Sequence, residues 1–252
     1  KANVTATSSR ERTIDGFGKD RVNDDLRNST QWSDGEKSKG WSSDSNTGAN
    51  HTESITFDMG SVKTVGQVDL YPRNDSGNVG AGFPVDFTIK TSTDGTTWNT
   101  AVTKTGYGIP AKGQSFTFAP QSARYIKVEG TNLRRIASES GQPYRMQLAE
   151  VEAYASPNYA LAATATATSS VEAWGHGLAT VYDGYRNSFK EGIGWSSSNS
   201  LTTNHTESVT FDMGSSKTIS EVYLCPRNEQ GAVGVWFPID FTIKVSTDNV
   251  NW

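Results

Sequence analysis

The sequence predicts an all-β protein made of two tandem antiparallel β-sandwiches, and two observations support this. The first is period-two alternation, in which the apolar residues 55, 57 and 59 alternate with Thr and Asp; this pattern is typical of strands with one buried face. The second is composition, because Gly, Ser, Thr and Asn cluster between the alternating runs, as expected for short strands joined by turns. No stretch keeps a helical period over three turns.

A duplication organises the chain. Three motifs recur with small changes at a constant offset of 154 residues. They are HTESITFDMGS (51–61, again at 205–215 as HTESVTFDMGS), LYPRND (70–75, again at 224–229 as LCPRNE) and FPVDFTIKTSTD (83–94, again at 237–248 as FPIDFTIKVSTD). Residues 39–98 and 193–252 are identical at 36 of 60 positions. This period is far longer than the roughly 20–50 residues of a solenoid unit, so each copy predicts a whole domain.

The domain boundaries follow from the duplication. We predict one domain at 1–155, a linker at 156–160 and a second domain at 161–252. Trp252 aligns with Trp98, after which the first copy continues through strand-like SFTFAP, RYIKVEG and LAEVEAY. A sandwich without those strands would have open edges. We therefore expect that the second copy is truncated and that the natural chain continues beyond Trp252.

Composition and missing motifs narrow the function classes. The net charge is −4 and no basic run occurs, which argues against nucleic acid as a partner. No apolar run approaches the about 20 residues of a membrane span. Cys225 is the single cysteine, so an internal disulfide is impossible. The sequence contains no nucleophile, zinc or phosphate-loop motif, so we expect no catalysis.

The order of motifs carries a family resemblance. ATSS, DGYRNS, GWSS, SITFDMG, LYPRND, RYIKVEG and LAEVEAY follow one another in the way that resembles discoidin domains, also called coagulation factor five/eight type C domains. Within that group the chain is similar to family-32 carbohydrate-binding modules of secreted bacterial glycosidases and lyases. The resemblance implies a jelly-roll sandwich of the galactose-binding-domain type.

The resemblance also implies a function. It is that of a non-catalytic, extracellular module that targets a larger glycoside hydrolase or polysaccharide lyase to a polysaccharide or glycan, as a monomer within a multidomain chain and without a membrane partner. The same fold binds lipids, collagen and proteins in other proteins. A discoidin-type adhesion or lipid-binding module and a structural spacer therefore remain open.

A sugar site needs hydrogen-bonding groups for ring hydroxyls and an aromatic face for C–H patches. The resemblance and these requirements point to polar groups within the LYPRND motif and after the ATSS motif, and to aromatic residues in the loops. The candidates are Glu11, Trp32, Arg73, Asn74, Tyr144, Glu172, Trp174, His176, Arg227, Asn228 and Trp236. For the two arginines the alternative is a salt bridge that fixes a loop. For each tryptophan the alternative is partial burial under a loop.

The resemblance further implies one structural calcium ion per domain, held by an Asp-Gly-x-x-x-Ser/Thr loop and a glutamate on the last strand. Oxygen-rich ligand sets of this kind suit calcium. The matching residues are Asp24, Arg27, Ser29 and Glu150 in the first copy and Asp183, Arg186 and Ser188 in the second. Asp25 replaces the glycine, and Asp tolerates a positive φ better than most residues. A turn without metal is the alternative.

Residues shared by both copies receive structural roles. Trp41, Trp98 and Trp195 lie in strand-like motifs and are predicted to be core residues. His51 and His205 belong to the NHTES motif. We predict that each bonds loop to strand, and a polar contact in the binding site is the alternative.

Overall fold

The computed structural model describes residues 2–11, 15–29, 31–33, 36–46, 48–75, 77–184, 194–198, 203–227 and 232–252, with only the backbone at 31–33, 36 and 37. The chain divides into two compact units, Lys1–Pro157 and Asn158–Trp252. The division falls inside the predicted linker at 156–160.

The first unit is an antiparallel β-sandwich, as the alternation predicted. Its strands are β1 (Asn3–Ala6), β2 (Gln31–Ser33), β3 (Glu36–Ser38), β4 (Trp41–Ser42), β5 (Glu53–Tyr71), β6 (Asp86–Ser92), β7 (Asn99–Lys104), β8 (Gln114–Asn132), β9 (Arg134–Arg135), β10 (Tyr144–Arg145), β11 (Gln147–Leu148) and β12 (Glu150–Tyr154). A 3-10 turn spans Lys19–Arg21.

Two long strands organise the main sheet, whose order is β1-β5-β8-β6-β7 with β12 also on β5. β5 and β8 pair over two stretches, residues 53–58 with 125–130 and residues 63–70 with 114–123, with a register shift between them. β1 pairs with the first stretch of β5 and β12 with the second. Both ends of the first unit are thereby fixed on the same strand.

The core follows the alternation of the strands. Ile55 and Phe57 on β5 and Phe87 and Ile89 on β6 are buried, as the sequence pattern predicted. Trp41 is fully buried, which confirms its predicted core role, and its Nε1 donates to the Ser8 carbonyl at 3.2 Å. The backbone at Gly40, just before Trp41, packs closely against the backbone of Leu148. A Cβ on residue 40 would lie 2.1 Å from the Leu148 oxygen, so only glycine fits there.

Trp98 does not belong to the core, and its predicted role was wrong. Its side chain is half-buried, and the ammonium of Lys127 lies 4.1 Å from the ring centroid. The residue precedes β7 at the end of the turn after β6. There it shields one face of β8 instead of facing the interior.

The described residues of the second unit form much less regular structure. Its elements are the 3-10 turns Tyr159–Ala162 and Leu178–Val181 and the strands β13 (Thr164–Ala167) and β14 (Val209–Asp212). β13 and β14 pair as β1 and β5 do, with Thr164 opposite Asp212 as Asn3 is opposite Asp58. None of the helices in the described part of the chain has the length and apolar character needed to span a membrane.

Each unit contains its own copy of the same hydrogen-bond network between a loop and a strand. Glu53 accepts hydrogen bonds from Thr7 and, at 2.7 Å, from Ser8, while His51 Nε2 lies 3.0 Å from the same carboxylate. Glu207 repeats the arrangement with Thr168, Ser169 and His205. The network explains why the ATSS and NHTES motifs occur together, and it confirms the predicted role of the two histidines.

Candidate functional site

Three cations converge on one buried ring in the first unit. The guanidinium carbons of Arg10 and Arg73 lie 5.5 and 5.2 Å from the centroid of Phe17, and the Lys39 ammonium lies 5.6 Å from it. The surrounding charged residues complete what we call the Phe17 cluster: Arg10, Asp15, Phe17, Lys39, Arg73, Asp75, Glu139 and Arg145. Loops after β1, β3 and β5 and the hairpin of β9 and β10 supply these residues.

Arg73 sits at the bottom of the cluster. Its side chain is buried, and it forms a paired contact with Asp75, Nε to Oδ1 at 2.5 Å and Nη2 to Oδ2 at 2.9 Å. Nη1 donates to Gln147 Oε1 at 3.2 Å. The salt bridge that the sequence left open as an alternative is therefore present. Among the described residues each terminal nitrogen of Arg73 uses one of its two N–H bonds in these contacts.

Asn74 connects the two predicted sites. Its Oδ1 accepts from the Ser29 amide at 2.8 Å, and its own amide donates to Ser29 Oγ at 3.1 Å. Asn74 was predicted to bind sugar and Ser29 to bind metal. The structure brings the two residues into contact with each other, so that the LYPRND loop and the DDLRNS loop are fixed together.

Glu11 and Glu172 have the same local role in their units. Glu11 accepts from Ser9 Oγ at 2.6 Å and from the Lys19 amide at 3.2 Å, at the start of the 3-10 turn. Glu172 accepts from Ser170 and from the Leu178 amide at 3.1 Å, also at the start of a 3-10 turn. These bonds lower the pKa of Glu172. Both carboxylates are partly exposed or exposed, so they can still accept from a ligand.

The second unit places an indole over an arginine. The Arg227 guanidinium lies 4.8 Å from the Trp236 ring centroid, and Trp236 is 78% exposed. Trp174 is equally exposed, and the His176 amide donates to the Ala173 carbonyl in the same loop. Both tryptophans have a positive φ, 55° and 63°. The described residues thus offer the open aromatic face and planar donor that the sequence predicted.

The first unit cannot carry the same indole. Gly82 occupies the position of Trp236, with φ of 72°, and a Cβ there would lie 2.6 Å from Gln147 Cγ. Gln147 is the residue that bonds Arg73. The first unit therefore covers its arginine with Phe17 from the opposite loop instead of with a residue after the LYPRND motif.

Tyr144 faces away from the Phe17 cluster. Neighbouring side chains on a strand project to opposite sides, and Arg145 of β10 contacts Glu139 at 2.9 Å. Tyr144 instead lies under Arg135, whose guanidinium is 4.6 Å from its ring centroid. The Trp32 side chain and Asn228 lie outside the described residues.

An acidic cluster lies beside the DDLRNS loop. Carboxylate oxygens of Asp25, Glu150 and Glu152 all lie within 4.8 Å of one another. Glu150 accepts from the amides of Asp24 and Asp25 at 3.1 and 3.2 Å. Asp24 itself accepts from the Leu26 amide and from Ser38 Oγ. The grouping fits a cation with oxygen ligands.

The electrostatics of this cluster favour a cation. Burial, together with Asp24 and Glu152, raises the pKa of Glu150 to about 9, although the two amide bonds act in the opposite direction. Arg27 supplies one positive charge, since it pairs with Glu152 at 2.7 and 2.5 Å and lies 4.7 Å from the Tyr71 ring centroid. A bound cation would stabilise the ionised form of this buried carboxylate and so offset the cost of its burial.

The backbone of the DDLRNS loop agrees with its alignment to the DGYRNS loop of the second copy. Asp25 has φ of 69°, and Gly184, at the same position of the second copy, has φ of 89°. The prediction that Asp25 replaces a glycine of positive φ is confirmed. Asp183 is exposed. Arg186 and Ser188 lie outside the described residues.

Sequence reasoning missed several residues of these sites. Lys39, Arg10 and Phe17 are far from Arg73 in the chain, and no local pattern connects them to it. Asp75 lies only two residues after Arg73 in the LYPRND motif, so the signal for this partner was available. The signal for Glu152 was available, because Glu150 and Glu152 are two positions apart on one strand and so share a face. Arg27 was assigned to the metal loop, and its side chain holds Glu152 there.

The comparisons with known proteins decide the family. The family model described as F5/8 type C domain matches residues 3–146 and 164–252. The chain belongs to the F5/8 type C domain family. The two matched segments correspond to the two copies, and the predicted resemblance is thereby confirmed. Comparison with curated protein sequences found no match.

Solved structures similar to this F5/8 type C chain include carbohydrate-binding modules. Chitosan-binding module 1 of a chitosanase/glucanase from Paenibacillus sp. IK-5 is 27% identical, with a TM-score of 0.42, over 61% of this chain and 94% of that one. A family 32 module from Clostridium perfringens NanJ in complex with galactose is 18% identical, with a TM-score of 0.45, over 60% and 92%. A CBM32 module from Clostridium perfringens, in complex with GalNAc-β-1,3-galactose, is 14% identical, with a TM-score of 0.47, over 61% and 94%.

Proposed function

We propose that this chain binds carbohydrate without catalysing a reaction, and that it targets a larger secreted enzyme to a polysaccharide or glycan. One observation carries the proposal. In each unit the arginine of the LYPRND or LCPRNE motif lies against an aromatic ring, Arg73 at 5.2 Å from Phe17 and Arg227 at 4.8 Å from Trp236.

The pairing suits the chemistry of a sugar ring. Ring hydroxyls need donors and acceptors in fixed directions, and the guanidinium provides a planar set of N–H groups. The apolar C–H face of a sugar packs on an aromatic ring such as the exposed indole of Trp236. Two sites on one chain would also increase binding to a repeating polymer through effective concentration.

The fold would be supported by calcium in the first unit. We propose that Glu150, Asp25 and neighbouring carbonyl groups of the DDLRNS loop hold the ion, with Asp24 and Ser29 shaping the loop. A bound divalent cation would stabilise the ionised, buried Glu150 carboxylate. No reaction step depends on it.

The test is binding of the full chain to a panel of polysaccharides by affinity electrophoresis, with liposomes as a second arm. We expect retardation by at least one polysaccharide and no liposome binding. The double variant Arg227→Ala/Trp236→Ala should weaken binding about tenfold or more at the second unit. Trp252→Ala is the matched control, because Trp252 is also exposed but contacts no cation among the described residues. Liposome binding with no polysaccharide bound would overturn the proposal.

A further inference from the structure

The Phe17 cluster has one more cation than it has carboxylates among its described members. Three arginines each take a carboxylate: Arg10 contacts Asp15 at 2.7 Å, Arg73 contacts Asp75 at 2.5 Å, and Arg145 contacts Glu139 at 2.9 Å. The fourth cation, Lys39, is left with a distant contact of 3.9 Å to Asp75 Oδ2.

Asp75 has little capacity left for Lys39. Its Oδ2 already accepts from Arg73 Nη2 and from Asn78 Nδ2, both at 2.9 Å. Among the described residues the Lys39 ammonium makes no hydrogen bond, and its other neighbour is the face of the Phe17 ring at 5.6 Å. The Lys39 side chain is 21% exposed and its ammonium carries three N–H donors, so the described residues neutralise it only weakly.

The second copy lacks this charge. Glu11 and Glu172 bond the equivalent amides of Lys19 and Leu178, which aligns Phe17 with His176. The Arg10 amide donates to the Ser42 carbonyl as the Val171 amide donates to the Ser196 carbonyl, so Arg10 corresponds to Val171. By the constant offset of 154 residues, Lys39 corresponds to Ile193. Both accessible cations of the cluster are thus apolar in the second copy.

We infer that the first unit selects saccharides that carry an acidic group, a uronate carboxylate or a sulfate ester, and that Lys39 binds that group beside Arg10. The inference rests on the proposed carbohydrate function and specifies its ligand. Lys39 is a compact charge that attracts either kind of anion, and the N–H groups left on Arg73 would bind a neighbouring hydroxyl. The second unit, with Trp236 over Arg227, has no such preference.

The experiment compares two polymers that differ only in charge, polygalacturonate and its carboxyl-reduced form. It uses the full chain carrying Arg227→Ala/Trp236→Ala, so that the remaining affinity comes from the first unit. We expect polygalacturonate to bind at least tenfold more tightly than the reduced polymer, and the difference to shrink as salt is raised. A sulfated galactan in parallel shows which acidic group is preferred.

Lys39→Met should remove the preference for polygalacturonate over the carboxyl-reduced polymer. Lys63→Met is the matched control, because Lys63 is an exposed lysine on β5 of the same unit. Equal affinity for the charged polymers and the neutral polymer would overturn the inference while the carbohydrate function stands. An equal loss in both lysine variants would also overturn it, since attraction would then be non-specific. Absence of binding to every polymer would contradict the carbohydrate function itself.

Discussion

Residues 83–94 and 237–248 differ at only two of twelve positions, yet they have different structures. In the first unit Phe87 is 1% exposed on β6, which pairs with both β7 and β8. In the second unit Phe241 is 53% exposed and belongs to no strand. The residues given for the second copy align only as far as Trp98 and so include no counterpart of β7 or β8. Alternating apolar residues therefore allow a segment to form a strand, but the strand forms only when a neighbouring strand is present to pair with it.

The turn that follows these segments shows the opposite behaviour. Asp94 accepts from the Thr96 and Thr97 amides at 2.7 and 2.8 Å, and Asp248 accepts from the Val250 and Asn251 amides at 2.9 Å each. These bonds lower the pKa of each carboxyl. All partners lie within three residues, so the turn forms without a sheet. Local hydrogen bonds survive where long-range pairing is missing.

Hydrogen exchange provides the sharpest test of this comparison. Amides of residues 86–92 should exchange at least about 1,000-fold more slowly than those of residues 240–246, since a central strand opens only with the whole unit. The measurement is exchange followed by mass spectrometry on the full chain. Similar protection in both segments would mean that the second has found a partner strand.

Replacing the equivalent residues Trp41 and Trp195 should destabilise the two units by different amounts. Trp41 and Trp195 both donate from Nε1 to a serine carbonyl, but only Trp41 is fully buried. Trp41→Ala should cost about 3–5 kcal/mol of the free energy of unfolding of its unit. Trp195→Ala should cost about 1 kcal/mol or less. Urea unfolding monitored by hydrogen exchange of each unit separates the two, and equal losses would contradict the difference in packing.

Calcium should stabilise the first unit alone, because the glutamates of β12 have no counterpart among the residues given for the second. At a concentration of 100 times its dissociation constant, the ion should add about 2.7 kcal/mol. Glu150→Gln should abolish this gain without destabilising the calcium-free unit. The measurement is thermal unfolding with calcium and with chelator. If the chelator leaves the melting temperature of the wild type unchanged, the first unit has no structural calcium site.

The same residue predicts a pH dependence. Without calcium the raised pKa of Glu150 means that its contribution to stability is complete below pH 4.5 and is lost as pH rises through about 9. The difference in free energy of unfolding between wild type and Glu150→Gln should therefore change over this range. Saturating calcium should remove that change. A constant difference would show that Glu150 is ionised throughout.

The smallest effect concerns His205. The Thr203 carbonyl and Glu207 raise its pKa above 6.5. The stabilising interaction is present below pH 6.5 and is lost as pH rises through the folded-state value. An NMR titration of the ring protons should give a pKa above 6.5, and Glu207→Gln should lower it. An unchanged pKa in that variant would show that the carboxylate does not act on the ring.

Much of the first unit could be predicted from its sequence. Positions 55, 57, 87 and 89 were placed in the core by alternation, and positive φ at Asp25 followed from its alignment with glycine. The Phe17 cluster could not be predicted, because Arg10, Phe17, Lys39 and Arg73 come from three loops whose approach is set by β5 and β8. The prediction that Trp98 is a core residue was wrong because its sequence context is strand-like, whereas the residue lies in the turn between β6 and β7.

The sequence by itself determined the duplication, the alternating strands, the local turns and the family, since each depends on neighbouring residues or on motif order. The tertiary structure alone decided which arginine is buried, which aromatic covers it and which strands exist. Those outcomes depend on contacts between residues far apart in the chain, and such contacts form only where the partner is present to bury an apolar face and to complete its hydrogen bonds.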